Sequence, residues 1–135
     1  MTEREHEASN CFGCGERNPI GLHLRCAYEG EAAKAEIVLR ENYEGYPGVV
    51  HGGIITTMLD EIMAKAVYRR LSARVVTADM HVIFRAPARV NEVLRLSGYV
   101  RRSEGRKYYT YGTVEKDGTL LAEAKGLFIR VGAEH

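Results

Sequence analysis

Residues 54–71 form one long helical pattern, and almost everything on either side of them reads as strand. From Ile54 to about Leu71 the apolar residues recur with a period of 3.6, with Ile55, Met58, Leu59, Ile62 and Ala66 on one stripe. Upstream, residues 20–27 alternate, Ile20, Leu22, Leu24 and Cys26 against Gly21, His23 and Arg25. Residues 33–39 alternate again after the turn Glu29-Gly30-Glu31, which predicts an opening hairpin. Downstream, residues 75–85, 93–101, 107–115 and 120–131 are strand-like, separated by the breakers Pro87-Ala88, Ser103-Glu104-Gly105 and Asp117-Gly118. Parallel neighbours would need long crossovers, so these short turns predict antiparallel pairing. The expected fold is α+β: a curved antiparallel β-sheet wrapped around one long central helix.

At 135 residues and 45% hydrophobic content, the chain is expected to form one domain over residues 11–135. A polar arm, residues 1–10, is expected to precede it. With 19 basic and 18 acidic residues the charge nearly cancels, which argues against nucleic acid or an acidic membrane as partner. The sequence has neither an apolar signal core nor a run of about 18 apolar residues. Its three cysteines, an odd number, fit a reducing compartment with free thiols. A cytoplasmic location is therefore expected.

The chemistry concentrates at the start of the helix. Gly52 and Gly53 precede the periodic run, where backbone N–H groups lack intrahelical partners and the macrodipole favours negative charge. An oxygen gaining charge would be stabilised there. On the helical wheel, Gly53, Thr57, Asp60 and Ala64 form a small, partly polar stripe away from the apolar one. This sets the Asp60 carboxylate two turns in, on the same side as the N–H donors. Most carboxylates on amphipathic helices are solvated surface charges, but this helix is apolar around much of its circumference. Asp60 is therefore the candidate general base or nucleophile. Glu61 sits about 100° further round and has a supporting, substrate-binding role at most.

The run PGVVHGGIITTMLDEIMAKA (47–66) resembles the signature of the phenylacetate-type, or PaaI-like, hotdog thioesterases. The segments CFGCGERNPIGLHLR (11–25) and VTADMHVIFRAPAR (76–89) resemble further parts of that family. The resemblance implies a hotdog fold and hydrolysis of an acyl-coenzyme A thioester to free acid and coenzyme A. It also implies Asp60 as the catalytic acid nine residues after His51, the Gly53 N–H as the polarising group at the thioester carbonyl, and His51 shaping the helix entry. Thr77 matches a Ser/Thr that reaches the reaction centre from a partner subunit. Many relatives carry a water-placing Asn or Gln shortly before the His. Here the neighbourhood holds Glu44 and Gly45, and the nearest amide is Asn42.

Three further expectations complete the reading. Arg101, Arg102, Arg106 and Lys107 cluster around a predicted turn and are candidates for holding coenzyme A phosphates, against a default role as solvated turn and edge residues. Arg85 and Arg89 lie at another strand end. Cys11, Cys14, His23 and Cys26 have zinc-like spacing, but on a strand His23 and Cys26 point to opposite faces, so no metal is expected. No cofactor is expected either. The small stripe needs covering, which predicts a homo-oligomer, a dimer or a tetramer, with composite active sites. The alternatives to the hydrolase are a non-catalytic acyl-CoA-binding protein and, less favoured, a hydratase or dehydratase of the same fold.

Overall fold

The computed structural model describes residues 2–132; Met1 of the expected arm and residues 133–135 of the expected domain lie outside them. The elements are α1 (Glu3–Glu7), β1 (Ala27–Glu29), β2 (Ala32–Val38), a short 3-10 turn (Glu41–Tyr43), α2 (Gly52–Leu71), β3 (Val75–Phe84), β4 (Val93–Glu104), β5 (Lys107–Lys116) and β6 (Thr119–Arg130). Among the described residues the strands form one sheet in the order β1-β2-β4-β5-β6-β3, with every neighbour antiparallel. The chain leaves α2 at Ser72, whose left-handed φ of 51° ends the helix, and β3 then pairs with the last strand. The β5–β6 hairpin turns at Asp117 and Gly118, both with positive φ (49° and 83°), as a two-residue turn matched to strand twist requires.

The helix lies on the sheet, as the periodicity predicts. Ile55, Met58, Leu59, Ile62, Met63, Ala66 and Val67 are buried against Leu94, Leu96, Val114, Ala122, Ala124 and Phe128. The approach is close because small residues stand under it. A Cβ added to Gly98 on β4 would come within 2.7 Å of the Ile62 carbonyl oxygen, and one on Gly112 of β5 within 2.9 Å of Met63 Cγ. These two glycines face each other across the β4–β5 pair. Gly126 on β6 continues the track, with Met63 Cε at 3.1 Å from the same construction.

Three expectations change. Residues 20–26 are not strand: Leu22 and Leu24 are buried, but their N–H groups donate to the carbonyls of Phe12 and Gly13 (2.8 and 2.9 Å) rather than to β2. His23, with φ of +54°, interrupts the extended backbone between them. The opening hairpin therefore begins only at Ala27. Secondly, β4 runs three residues further than expected, so Arg102 joins Arg101 in the strand and the turn narrows to Gly105-Arg106.

Thirdly, the polar arm is folded. Thr2 and Glu5 form a capping box for α1: the Glu5 N–H donates to Thr2 Oγ1 (3.0 Å) and the Thr2 N–H to Glu5 Oε1 (2.7 Å). Glu3 accepts from the Tyr28 hydroxyl (2.8 Å) and pairs with Lys65 of α2 (3.4 Å), which is only 5% exposed. That ion pair fastens the first residues to the central helix.

Candidate active site

Two elements build the site: the first two turns of α2 and the start of β3. His51 is the N-cap of α2, and its Nδ1 accepts the Gly53 N–H at 2.8 Å. Gly53, the expected carbonyl-binding donor, is thus already engaged by the neighbouring imidazole. The Gly52 N–H one residue earlier has no hydrogen-bond partner among the described residues. Both glycines are exposed, and the Phe84 ring stands 3.7 Å from where a Gly52 Cβ would lie. The end of the helix is therefore open to a ligand on one side and backed by an aromatic wall on the other.

Along the expected stripe, Thr57, Asp60 and Ala64 are all half-buried. The Thr57 hydroxyl donates back to the Gly53 carbonyl at 2.9 Å, leaving Asp60 as the outward-reaching polar group. It is met by Thr77, whose Oγ1 donates to Asp60 Oδ1 at 2.6 Å. A break in the β3–β6 register follows Thr77 immediately, the kind of bulge that re-aims a side chain at the edge of a sheet. The family resemblance implied that Thr77 would arrive from a partner subunit. Within this chain Thr77 already reaches Asp60, because β3 follows α2 directly and runs back along it.

Other candidates fall elsewhere. Glu61 turns away from Asp60 towards the N-terminal segment, where its carboxylate packs so closely on Gly13 that a Cβ there would be 2.3 Å from Oε1. Arg101, Arg102, Arg106 and Lys107 are exposed at the β4–β5 hairpin, and β6 lies between that strand pair and β3. Within one chain they do not meet Asp60. Arg102 lies over the Tyr109 ring, 3.8 Å from its centroid. Arg85 pairs with Glu123 at 2.7 Å and is not free for an anion. Glu123 also accepts from the Tyr111 hydroxyl (2.7 Å), a bond that pushes the phenol up to about 12 and holds the carboxyl below its ordinary range. At the expected water-placing position, the Glu44 carboxylate is occupied by the Gly48 N–H (2.7 Å), and Asn42 is exposed.

Two cavities flank the Asp60–Gly53 line. One of about 190 Å³ adjoins the helix start and is lined by Val49, Val50, Gly52, Ile55, Phe84 and Leu121 among others. The other, about 370 Å³, lies beyond Asp60 between α2 and α1, with Glu61, Ala64, Lys65, Tyr68 and Val75 in its wall. Sequence reasoning missed this second wall, because the arm that closes it shows no apolar periodicity. The Thr2-x2-Glu5 capping pattern was the one signal that the arm is helical. Among the described residues no helix is long and apolar enough to cross a membrane.

Known proteins share this fold. A thioesterase superfamily protein of solved crystal structure superposes over 89% of this chain and 60% of its own, with a TM-score of 0.81 at 25% identity. The Escherichia coli PaaI protein, from the phenylacetic acid degradation operon, does so over 83% of this chain and 82% of its own, with a TM-score of 0.76 at 16% identity. The fold is thus the hotdog fold. An acyl-coenzyme A thioesterase of Xenopus laevis, THEM4, is 38% identical over 91 residues, covering 65% of this chain and 40% of that protein. The chain spans about half the length, or less, of the curated relatives it matches. Residues 47–123, from the loop before α2 into the first part of β6, match the family described as Thioesterase superfamily, and on that match the chain belongs to the thioesterase superfamily.

Proposed function

We propose that the protein hydrolyses an acyl-coenzyme A thioester, with Asp60 as the central catalytic group. The observation that carries this reading is the Thr77–Asp60 hydrogen bond of 2.6 Å, which fixes a carboxylate two turns from an open, glycine-lined helix start. The thioester carbonyl oxygen binds at that start. The Gly52 N–H is free to meet it, and the Gly53 N–H passes to it from His51 Nδ1. Charge building on this oxygen is stabilised by the N–H groups and by the helix dipole, and one such donor is typically worth about 3–4 kcal/mol of barrier. Asp60 takes the proton of a water as its oxygen bonds to the carbonyl carbon. The C–S bond then breaks, and the proton ends on the departing thiol. Direct attack by Asp60, giving a transient anhydride that water opens, uses the same placement.

A homodimer accords with the long open edge of β3 and with the half-buried small stripe of α2, and two such dimers could pair as a tetramer. The Arg101–Lys107 cluster would then serve coenzyme A phosphates from a neighbouring subunit. A cytoplasmic location accords with three free cysteines. The test is thiol release from a panel of short, medium, long and aromatic acyl-CoAs, with binding measured in parallel. Wild type should turn over at least one member, and Asp60→Asn should bind the same compound while its kcat falls by about 10²-fold or more. Binding without turnover by wild type would replace the hydrolase with a ligand-binding protein. Unchanged kcat in Asp60→Asn would remove Asp60 from the mechanism.

A further inference from the structure

On the far side of Glu61 from the reaction site, the N-terminal segment gathers a second group of chemically active side chains. His6 in the last turn of α1, Cys11 and Cys14 each offer a ligand atom, and these atoms lie within 4.8 Å of one another. Cys14 is fully buried, and Cys11 and His6 are half-buried. The backbone holds them together. The Gly15 N–H donates to the Cys11 carbonyl at 2.8 Å, closing the Cys11-x2-Cys14 turn. Gly15 has no room for a side chain, since a Cβ would lie 2.3 Å from both Cys11 N and the Ser9 carbonyl oxygen. Across this turn, the Glu16 N–H donates to the Glu7 carbonyl (2.7 Å) and the Arg17 N–H to the Ser9 carbonyl (3.1 Å), which fixes the end of α1 beside the thiols.

The helix that carries His6 is otherwise weakly held. It has five residues and buries none of them, far short of the length at which an isolated helix is stable in water. Apart from its cap, its side-chain anchors are the contacts of Glu3 with Tyr28 and Lys65. We propose that His6, Cys11 and Cys14 bind one zinc ion, which fastens α1 and the Cys-x2-Cys turn over the back of α2. Two thiolates and an imidazole form a donor set for a borderline-soft ion such as zinc rather than for the hard ions calcium or magnesium. The Cys-x2-Cys spacing is the one such sites use. Glu61, packed on Gly13, stands next to this set, and a water or that carboxylate completes four-coordination. This is a different set from the one the sequence spacing suggests. His23 is exposed and its Nε2 is 2.6 Å from the Asn18 carbonyl, while Cys26 stands outside the group.

The test uses the whole, reduced protein, freed of metal and titrated with cobalt(II) under anaerobic conditions, then with zinc. Wild type and His23→Ala should each take up one cobalt per chain, with thiolate-to-cobalt charge-transfer absorption and the visible bands of tetrahedral cobalt, and zinc should displace it. Cys11→Ser and His6→Ala, both at half-buried positions, should bind at least about tenfold more weakly while keeping the circular dichroism of the wild type. The site is overturned if wild type takes up no stoichiometric cobalt, or if Cys11→Ser gives the wild-type spectrum. Loss of binding in His23→Ala, or a Cys11–Cys14 disulfide in place of metal in the protein as purified, would overturn it equally.

Discussion

In the proposed mechanism, the contact between Thr77 and Asp60 is the side-chain pair on which the rate depends most directly. A hydrogen bond to a charged group typically contributes about 1.5–3 kcal/mol, so its removal should be visible in the rate. Thr77→Val keeps the shape of the side chain and deletes the donor. Its kcat should fall by about tenfold or more with little change in KM, as expected for a group that positions the carboxylate rather than binding substrate. A wild-type kcat in Thr77→Val would show that Asp60 needs no such restraint. The position of Asp60 on the helix was legible because its spacing from Gly53 is local to one helix. That the same chain delivers Thr77 was not, because the position of a strand edge beside a helix depends on the β3–β6 register 50 residues away. The engagement of Gly53 by His51 was also hidden, since it rests on a side-chain rotamer.

At the level of elements, the seam between α2 and the sheet sets what the structure tolerates. Gly98→Ala would place a methyl 2.7 Å from the Ile62 carbonyl oxygen and 2.9 Å from its carbon, both backbone atoms that cannot turn aside. Overpacking of this kind costs about 1–3 kcal/mol, and the melting temperature should drop by several degrees. Gly112→Ala meets the Met63 side chain instead, which can rotate, so its loss should be smaller; equal melting temperatures for the two variants would contradict this account. The helix and the long strands were legible because each obeys one period over ten residues or more. Residues 20–26 misled because their alternation is real, with Leu22 and Leu24 inward, while their backbone partners are Phe12 and Gly13. Alternation reports burial, and it does not say which strand, if any, lies alongside.

For the whole molecule, the outer side of β3, at one end of the sheet, is the surface that most favours assembly. This ten-residue edge strand carries Val76, Ile83 and Phe84 at 48%, 36% and 56% exposure, a surface that invites pairing with another edge. Ile83→Lys should therefore turn a dimer into a monomer by light scattering coupled to size exclusion. If the sites are composite, thiol release should fall with it. A monomeric wild type would end the dimer reading. The sequence points to assembly only through a need for cover on the small stripe of α2, since one chain's sequence does not say which edge of the sheet is left over. The glycine track beneath the helix bears on how such a protein can diversify. None of Gly98, Gly112 and Gly126 lines either cavity, so the residues that keep helix and sheet in register are separate from those that border a ligand. Descendants of this sequence can drift in the size and shape of what they accommodate while three side-chain-free positions hold the scaffold constant.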